Sequence, residues 1–307
     1  MLAQVMAEVS YMQSLRSPSV LIEHQLKYAM HRQFGRPTFR PPNPQVLGLG
    51  VYWAFVGEQQ RLTISGGGEN IALAESMLGV SLVEAHQWTE MRLLEGPRDE
   101  RIAELRTLGY NPESAQRAFE SRLAYEVDFA AQIAAGSVKR KDLRKFVQMR
   151  ELVHEHWEPL TRLLAEYGLT PGGVFGTDPR RVKQNREIIA QFADAIPSVR
   201  VAVDLKTEHF RNAQKRWSAN AVRDIDALGA AVPYCDVVMP DKEMSDLLSR
   251  SKVAEDLGTT VVTSFPALQQ VLPPLVDRAA ALDGGTAGWG NGAAGFRVTA
   301  PPGLEDF

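Results

Sequence analysis

The stretch Asn220–Asp246, NAVRDIDALGAAVPYCDVVMPDKEMSD, sets six acidic side chains around one expected helix, one short strand and the start of a second helix. Carboxylates gathered at the ends of such elements are the oxygen ligands that a hard divalent cation takes. Immediately upstream, Lys206–Arg223 (KTEHFRNAQKRWSANAVR) carries five Lys or Arg against one Glu. A positive segment that leads into a negative one suits a phosphate-bearing substrate drawn to a metal.

Working outward, apolar runs and turn residues alternate. A helix is expected at about Ile225–Val232, a buried strand at Cys235–Met239, a helix at Asp241–Ser251, a second strand at Thr259–Thr263 and a short helix at Pro266–Val271. Strands that alternate with helices predict a parallel α/β sheet. Upstream, Val199–Leu205 (VRVAVDL) alternates like a strand, but Pro197–Ser198 opens it like a helix that continues through Phe210 and Ala213, and helix is the reading adopted. The region begins near Thr170–Gly176 (TPGGVFG), where glycine and proline end a long helix and Asp178–Pro179 supplies an N-cap followed by proline.

Everything before it reads as helical. Leu2, Val5, Met6, Val9 and Met12 recur at helical spacing, and Ser17 or Ser19 caps a second helix that stops at Gly35. Arg36–Gly50 holds four prolines and is read as a connector or binding loop. Helices are expected at Ser81–Leu94, Glu100–Leu108, Pro112–Ala135 and Val138–Tyr167. The division is therefore a mainly helical region at 1–169, an α/β region at 170–275 and a tail at 276–307 whose Gly, Ala and Pro content predicts disorder.

Bulk composition narrows the function. With 307 residues, 44% apolar and 23% charged, the chain can bury a large core, and a net charge of −3 gives no global attraction to nucleic acid or anionic membrane. Nucleic-acid binding must come from local patches. The one cysteine, Cys235, excludes an internal disulfide and fits a reducing cytoplasm. No apolar run is long enough to span a bilayer, so no membrane partner is expected.

In an open α/β sheet the functional crevice lies at the carboxyl ends of the strands. Asp241 follows the strand Cys235–Met239 there, and Asp224 and Asp226 are placed in the first turn of the preceding helix, so the three carboxylates converge. Capping and the helix dipole also account for acids at these positions. Asp236 and Asp246 read as structural. His209, Arg211, Lys215, Arg216 and Asn220 form the polar stretch suited to phosphate, against a solvated helix face as the plainer reading.

The runs Asp226-Ala227-Leu228 and Asp236-Val237-Val238-Met239-Pro240-Asp241 resemble the C-terminal half of PIN-like nucleases, over about Pro197–Val271. The resemblance implies a parallel sheet of PIN-like type with an extensive helical N-terminal region, and Mg²⁺- or Mn²⁺-dependent RNA cleavage in a toxin or defence setting, with an antitoxin or other protein partner. Asp226 is similar to the family's third acid, Asp241 to its fourth, and Asp224 to an auxiliary ligand. The family pattern opens with a strand ending in aspartate and a second acid on a helix. This chain opens in a helix, with only Glu8 or Glu23 to substitute. A non-catalytic module that binds RNA or protein is the alternative, and a small-molecule phosphatase a third.

Other motifs carry less. His154-Glu155-His156 puts its histidines two apart, which diverges on an α-helix. Gly48-Leu49-Gly50 and Gly66-Gly67-Gly68 are turns, and Cys235 reads as packing. Trp217 reads as core before base-stacking. Lys139–Arg150 (KRKDLRKFVQMR) reads as a solvated helix surface before an RNA groove.

Overall fold

The computed structural model describes residues 2–10, 12–35, 46–56 and 68–282. In chain order these form α1 (Leu2–Ser10), β1 (Gln13–Leu15), α2 (Pro18–Phe34), β2 (Leu47–Leu49), α3 (Val51–Val56), α4 (Gly68–Leu78), α5 (Leu82–Glu95) and α6 (Ile102–Thr107). Then follow α7 (Pro112–Ala134), α8 (Leu143–Arg150), a π-helical turn at Glu151–Glu155, α9 (Trp157–Glu166), α10 (Pro171–Phe175), α11 (Val182–Asp194), α12 (Pro197–Arg211) and α13 (Ala219–Ala231). β3 (Val237–Val238), α14 (Lys242–Ser251), α15 (Val253–Asp256), β4 (Thr260–Val261) and α16 (Phe265–Leu282) complete the order. The expected tail therefore begins inside α16, and residues 283–307 lie outside the described residues, as do 36–45 of the proline connector and the triple glycine's Gly66 and Gly67.

The described residues divide into two compact units, one from residues up to Val20 and between 46 and 111, the other from Leu21 to 35 and from Pro112 to Ala279. In the first, β1 and β2 pair antiparallel with Gln13 opposite Leu49. Gly50, at φ +95, turns the chain into α3, whose first amides Val51 N and Tyr52 N donate to the buried Glu90 carboxylate at 2.6 and 3.2 Å. A Cβ at Gly50 would lie 2.4 Å from that carboxyl carbon, so only glycine permits the cap. Ser81 and Glu84 close a capping box at the start of α5, as serine followed by Glu at the third position predicts.

The second unit is built around α12. Val199, Val201, Val203 and Leu205 are fully buried, and so are Ala202, Lys206, Thr207 and His209 on its other sides. Around it pack α8, α11, α13, α14 and α15. A helix buried on every side lies at the centre of a core, and the polar groups it carries inward need partners there.

That placement corrects the expected fold class. An α/β fold with a parallel sheet of PIN-like type does not form: β3 and β4 pair in parallel, Val237 with Thr260 and Val238 with Val261, but each is two residues long and, among the described residues, no third strand joins them. Pro240 ends β3 after one further residue. The valine alternation at 199, 201 and 203, the one segment that could have supplied a central strand, is held helical by Pro197 in the first turn. Among its described residues the unit is a helical assembly with one short parallel pair, whose Val238 joins the core.

Candidate nucleic-acid interface

Asp224 and Asp226 do not open a helix. Ser218 caps α13, its Oγ accepting from Ala221 N at 3.2 Å, so the helix starts well before the expected Ile225 and both acids sit mid-helix. Two residues apart there, they point about 200° from each other. Asp224 turns toward Asp241 and Glu243, and burial followed by those two charges raises its pKa. Asp226 turns the other way and takes a forked pair from Arg122 of α7, both contacts at 2.9 Å. Asp241 caps α14, accepting from Met244 N at 2.8 Å. Glu243 binds Lys215 at 2.6 Å. Of the other acids considered, Glu23 pairs with Arg162, and Glu8 accepts from Gln4 at 3.2 Å. Among the described residues no group of three or more His, Cys, Asp or Glu is placed to hold a metal ion. The donor set does not fit a shared Mg²⁺ or Mn²⁺, because Asp226 is spent on an arginine on the far side of its helix.

Asp226 instead belongs to an ionic network inside the unit. Lys206, 2% exposed, donates to Glu126 of α7 and Glu151 of the π turn, both at 2.7 Å. Arg122 reaches Glu155 at 2.7 Å, and Arg150 reaches Glu126 at 3.6 Å while stacking 3.8 Å over Tyr125. Burial alone would lower the Lys206 pKa, but Glu151 and Glu126 hold the ammonium above its ordinary value. Burial raises the Glu151 pKa against the pull of Lys206. His156 is pushed down to about 4, first by burial and then by the charges of Lys206 and Arg122. The helix expected to run unbroken over Val138–Tyr167 is interrupted by this π turn, which brings Glu151 and Glu155 inward; π turns of this kind often mark functional or strained places. Nothing in the residue types distinguishes them from α-helical ones. His154 meets Tyr125, so the His-Glu-His triplet disperses over three partners.

Several of the basic groups are matched by acids. Arg211 pairs with Glu208, Lys215 with Glu243, Arg144 with Asp194 and Asp204, and Arg200 with Asp256. Lys139, Arg140, Lys141, Lys145 and Arg186 are exposed and, among the described residues, make no ion pair. Lys139, Lys145 and Arg186 line a groove of about 250 Å³ between α8 and α11, with Phe146 and Met149 in its wall and Asp142 the one acid. Both apolar side chains are 39% exposed. The run read as solvated surface is thus a cationic groove with an aromatic wall, completed by Arg186 from an element the sequence run does not contain.

No family model, curated protein or solved structure matches the chain. The geometry alone therefore carries the functional reading. Next to the groove, and separated from it by the segment before α8, a cavity of about 320 Å³ is lined by Arg140, His209, Phe210, Arg211, Lys215 and Trp217 among others. Four of the residues assigned to phosphate divide there: His209, Arg211 and Lys215 reach the cavity, while Arg216 is exposed outside its lining. Asn220 is exposed in the first turn of α13. In the first unit, a more apolar cleft of about 600 Å³ is walled by Trp88 and Tyr110, but its Arg92 and Arg101 are neutralised within their own turns by Glu95 and Glu104. No helix among the described residues is long and apolar enough to cross a membrane.

Proposed function

We propose that the second unit is a non-catalytic RNA-binding module that holds a single strand along the groove between α8 and α11. The observation that carries this is the clustering of Lys139, Arg140, Lys141, Lys145 and Arg186, exposed and without ion pairs among the described residues, three of them lining one groove with Phe146, on a molecule whose net charge is −3. Cations left unmatched beside exposed Phe146 supply the two elements of single-strand recognition, phosphate attraction and a stacking face. The engagement of Asp226 by Arg122 and the capping role of Asp241 support binding without turnover.

The test is fluorescence anisotropy of a labelled single-stranded RNA titrated at several salt concentrations. Five cations on a single strand lead to a log-affinity slope against log salt of about −3.5. Lys139→Glu, Lys145→Glu and Arg186→Glu together should weaken binding at least tenfold and flatten that slope by about 2. Asp241→Asn should bind as the parent does, and the RNA should stay intact with Mg²⁺ or Mn²⁺. Cleavage abolished by Asp226→Asn and Asp241→Asn would return the protein to the nucleases, and absence of binding at low salt would end the RNA reading.

A further inference from the structure

We infer that Asp142 makes the α8–α11 groove selective for guanine, its carboxylate meeting the edge of a base whose ring lies on Phe146. This selectivity depends on the RNA reading for the presence of a strand, and on the groove itself for the choice of base.

Asp142 is the one acid in the groove wall, inside a run with Lys139, Arg140 and Lys141 before it and Arg144 and Lys145 after it. Its half-exposed side chain makes no ion pair and no hydrogen bond among the described residues: it does not cap α8, and Arg144 turns instead to Asp194 and Asp204. An unmatched carboxylate repels phosphate, so a bound backbone follows Lys139, Lys145 and Arg186 and keeps away from Asp142. What lies beside Asp142 is then a base edge.

Phe146 follows Asp142 by four residues and lines the same groove, which makes the two side chains neighbours on one face of the helix, roughly 5–6 Å apart at Cβ. Phe146 and Met149 are each 39% exposed, and among the described residues no other ring packs on Phe146, so this apolar face is open. A base stacked there turns its edge to the carboxylate. An ionised carboxylate has two acceptor oxygens and no donor. Guanine presents two adjacent donors on its Watson–Crick edge, the ring N–H and the exocyclic amino group, whereas adenine and cytosine set one amino donor beside a ring acceptor and uracil sets one N–H between two carbonyls. Guanine alone meets both oxygens without an opposed lone pair. The same contact needs a free Watson–Crick edge, which single strands offer and duplexes do not.

Fluorescence anisotropy on the full chain tests this with oligouridine and with the same strand carrying one guanine, adenine or cytosine at its centre. The guanine strand should bind about fivefold tighter than the other three, or better. Asp142→Asn exchanges one acceptor for a donor and should erase that preference, while affinity for oligouridine holds or rises because a negative charge has gone. An acid at a helix start also favours the dipole. If that is its whole role, Asp142→Asn changes all four affinities by one factor, which overturns the inference. Phe146→Leu should weaken all four strands about fivefold, since stacking tolerates any base. On the parent protein, guanosine monophosphate should displace a bound strand at a lower concentration than adenosine monophosphate, a reading that needs no variant. Equal binding of the four strands by the parent overturns the guanine assignment and leaves the RNA reading in place. No binding of any strand at low salt removes both.

Discussion

The interior of the second unit and its α8–α11 face treat positive charge in opposite ways. Inside, Lys206 meets two carboxylates at 2.7 Å, and Arg122 and Arg150 link the same cluster to Asp226, Glu155 and Glu126. On the face, five cations stand without ion partners beside a half-exposed phenylalanine. The difference is one of solvation. A buried charge is tolerated only when matched, because desolvation costs more than an unmatched site can return. An exposed charge carries no such constraint and keeps its attraction for whatever arrives. Charges in the interior therefore report how the helices are tied together, and those on the face report on ligands.

The sharpest way to break this distinction is Lys206→Met. It strands Glu126 and Glu151 in the core, and the expected loss is about 3–5 kcal/mol of unfolding free energy in chemical denaturation. Neutralising all three positions with apolar residues should recover most of it, because no charge is then left unmatched. A neutral Lys206→Met would show that the network is solvated after all.

A smaller effect concerns pH. His156, held at about 4 in the fold against an ordinary value of 6.5, binds fewer protons when folded than when unfolded between those limits. Its contribution is complete above about pH 6.5 and is lost on acidification toward about pH 4, a change of up to about 3 kcal/mol. Glu151, with its raised pKa, works with the opposite sign. The difference between the stability curves of the parent and His156→Gln isolates the histidine. A difference that stays flat from pH 7 to 4 would remove His156 from the buried cluster.

Smallest are the two aspartates once grouped as ligands. Asp226→Asn gives up a half-exposed fork to Arg122, and Asp241→Ala gives up a helix cap, each worth about 1 kcal/mol in thermal or denaturant unfolding. Neither should change RNA affinity. A loss of binding in Asp226→Asn with stability intact would place that residue on the ligand side of the comparison.

Much of the local structure was legible. Ser81, Asp178 and Asp241 cap where residue type and position place them, Pro197 opens α12, and the two apolar runs Cys235–Met239 and Thr259–Thr263 contain the parallel pair, whereas Thr170 caps the short α10 in a stretch read only as the end of a helix. The extension of those runs into a sheet was not legible, since two short parallel segments look the same whether further strands flank them or, as here, helices do. The acid cluster misled for a local reason. The start of α13 was placed at Ile225, whereas the cap is Ser218, and that difference of about two turns moves Asp224 and Asp226 from a shared helix end to opposite sides.

Residue order alone determined that most of the chain is helical and where several helices start, at Ser81, Asp178, Pro197 and Asp241, because capping, proline geometry and periodicity act between neighbours. Tertiary structure decided who neutralises whom: Asp226 finds Arg122 at a separation of 104 residues, Lys206 finds Glu126 and Glu151 at 80 and 55, and Arg186 joins the Lys139–Lys145 groove from another helix. Charge pairing depends on distance in space and on access to water, and neither is set until the helices have packed.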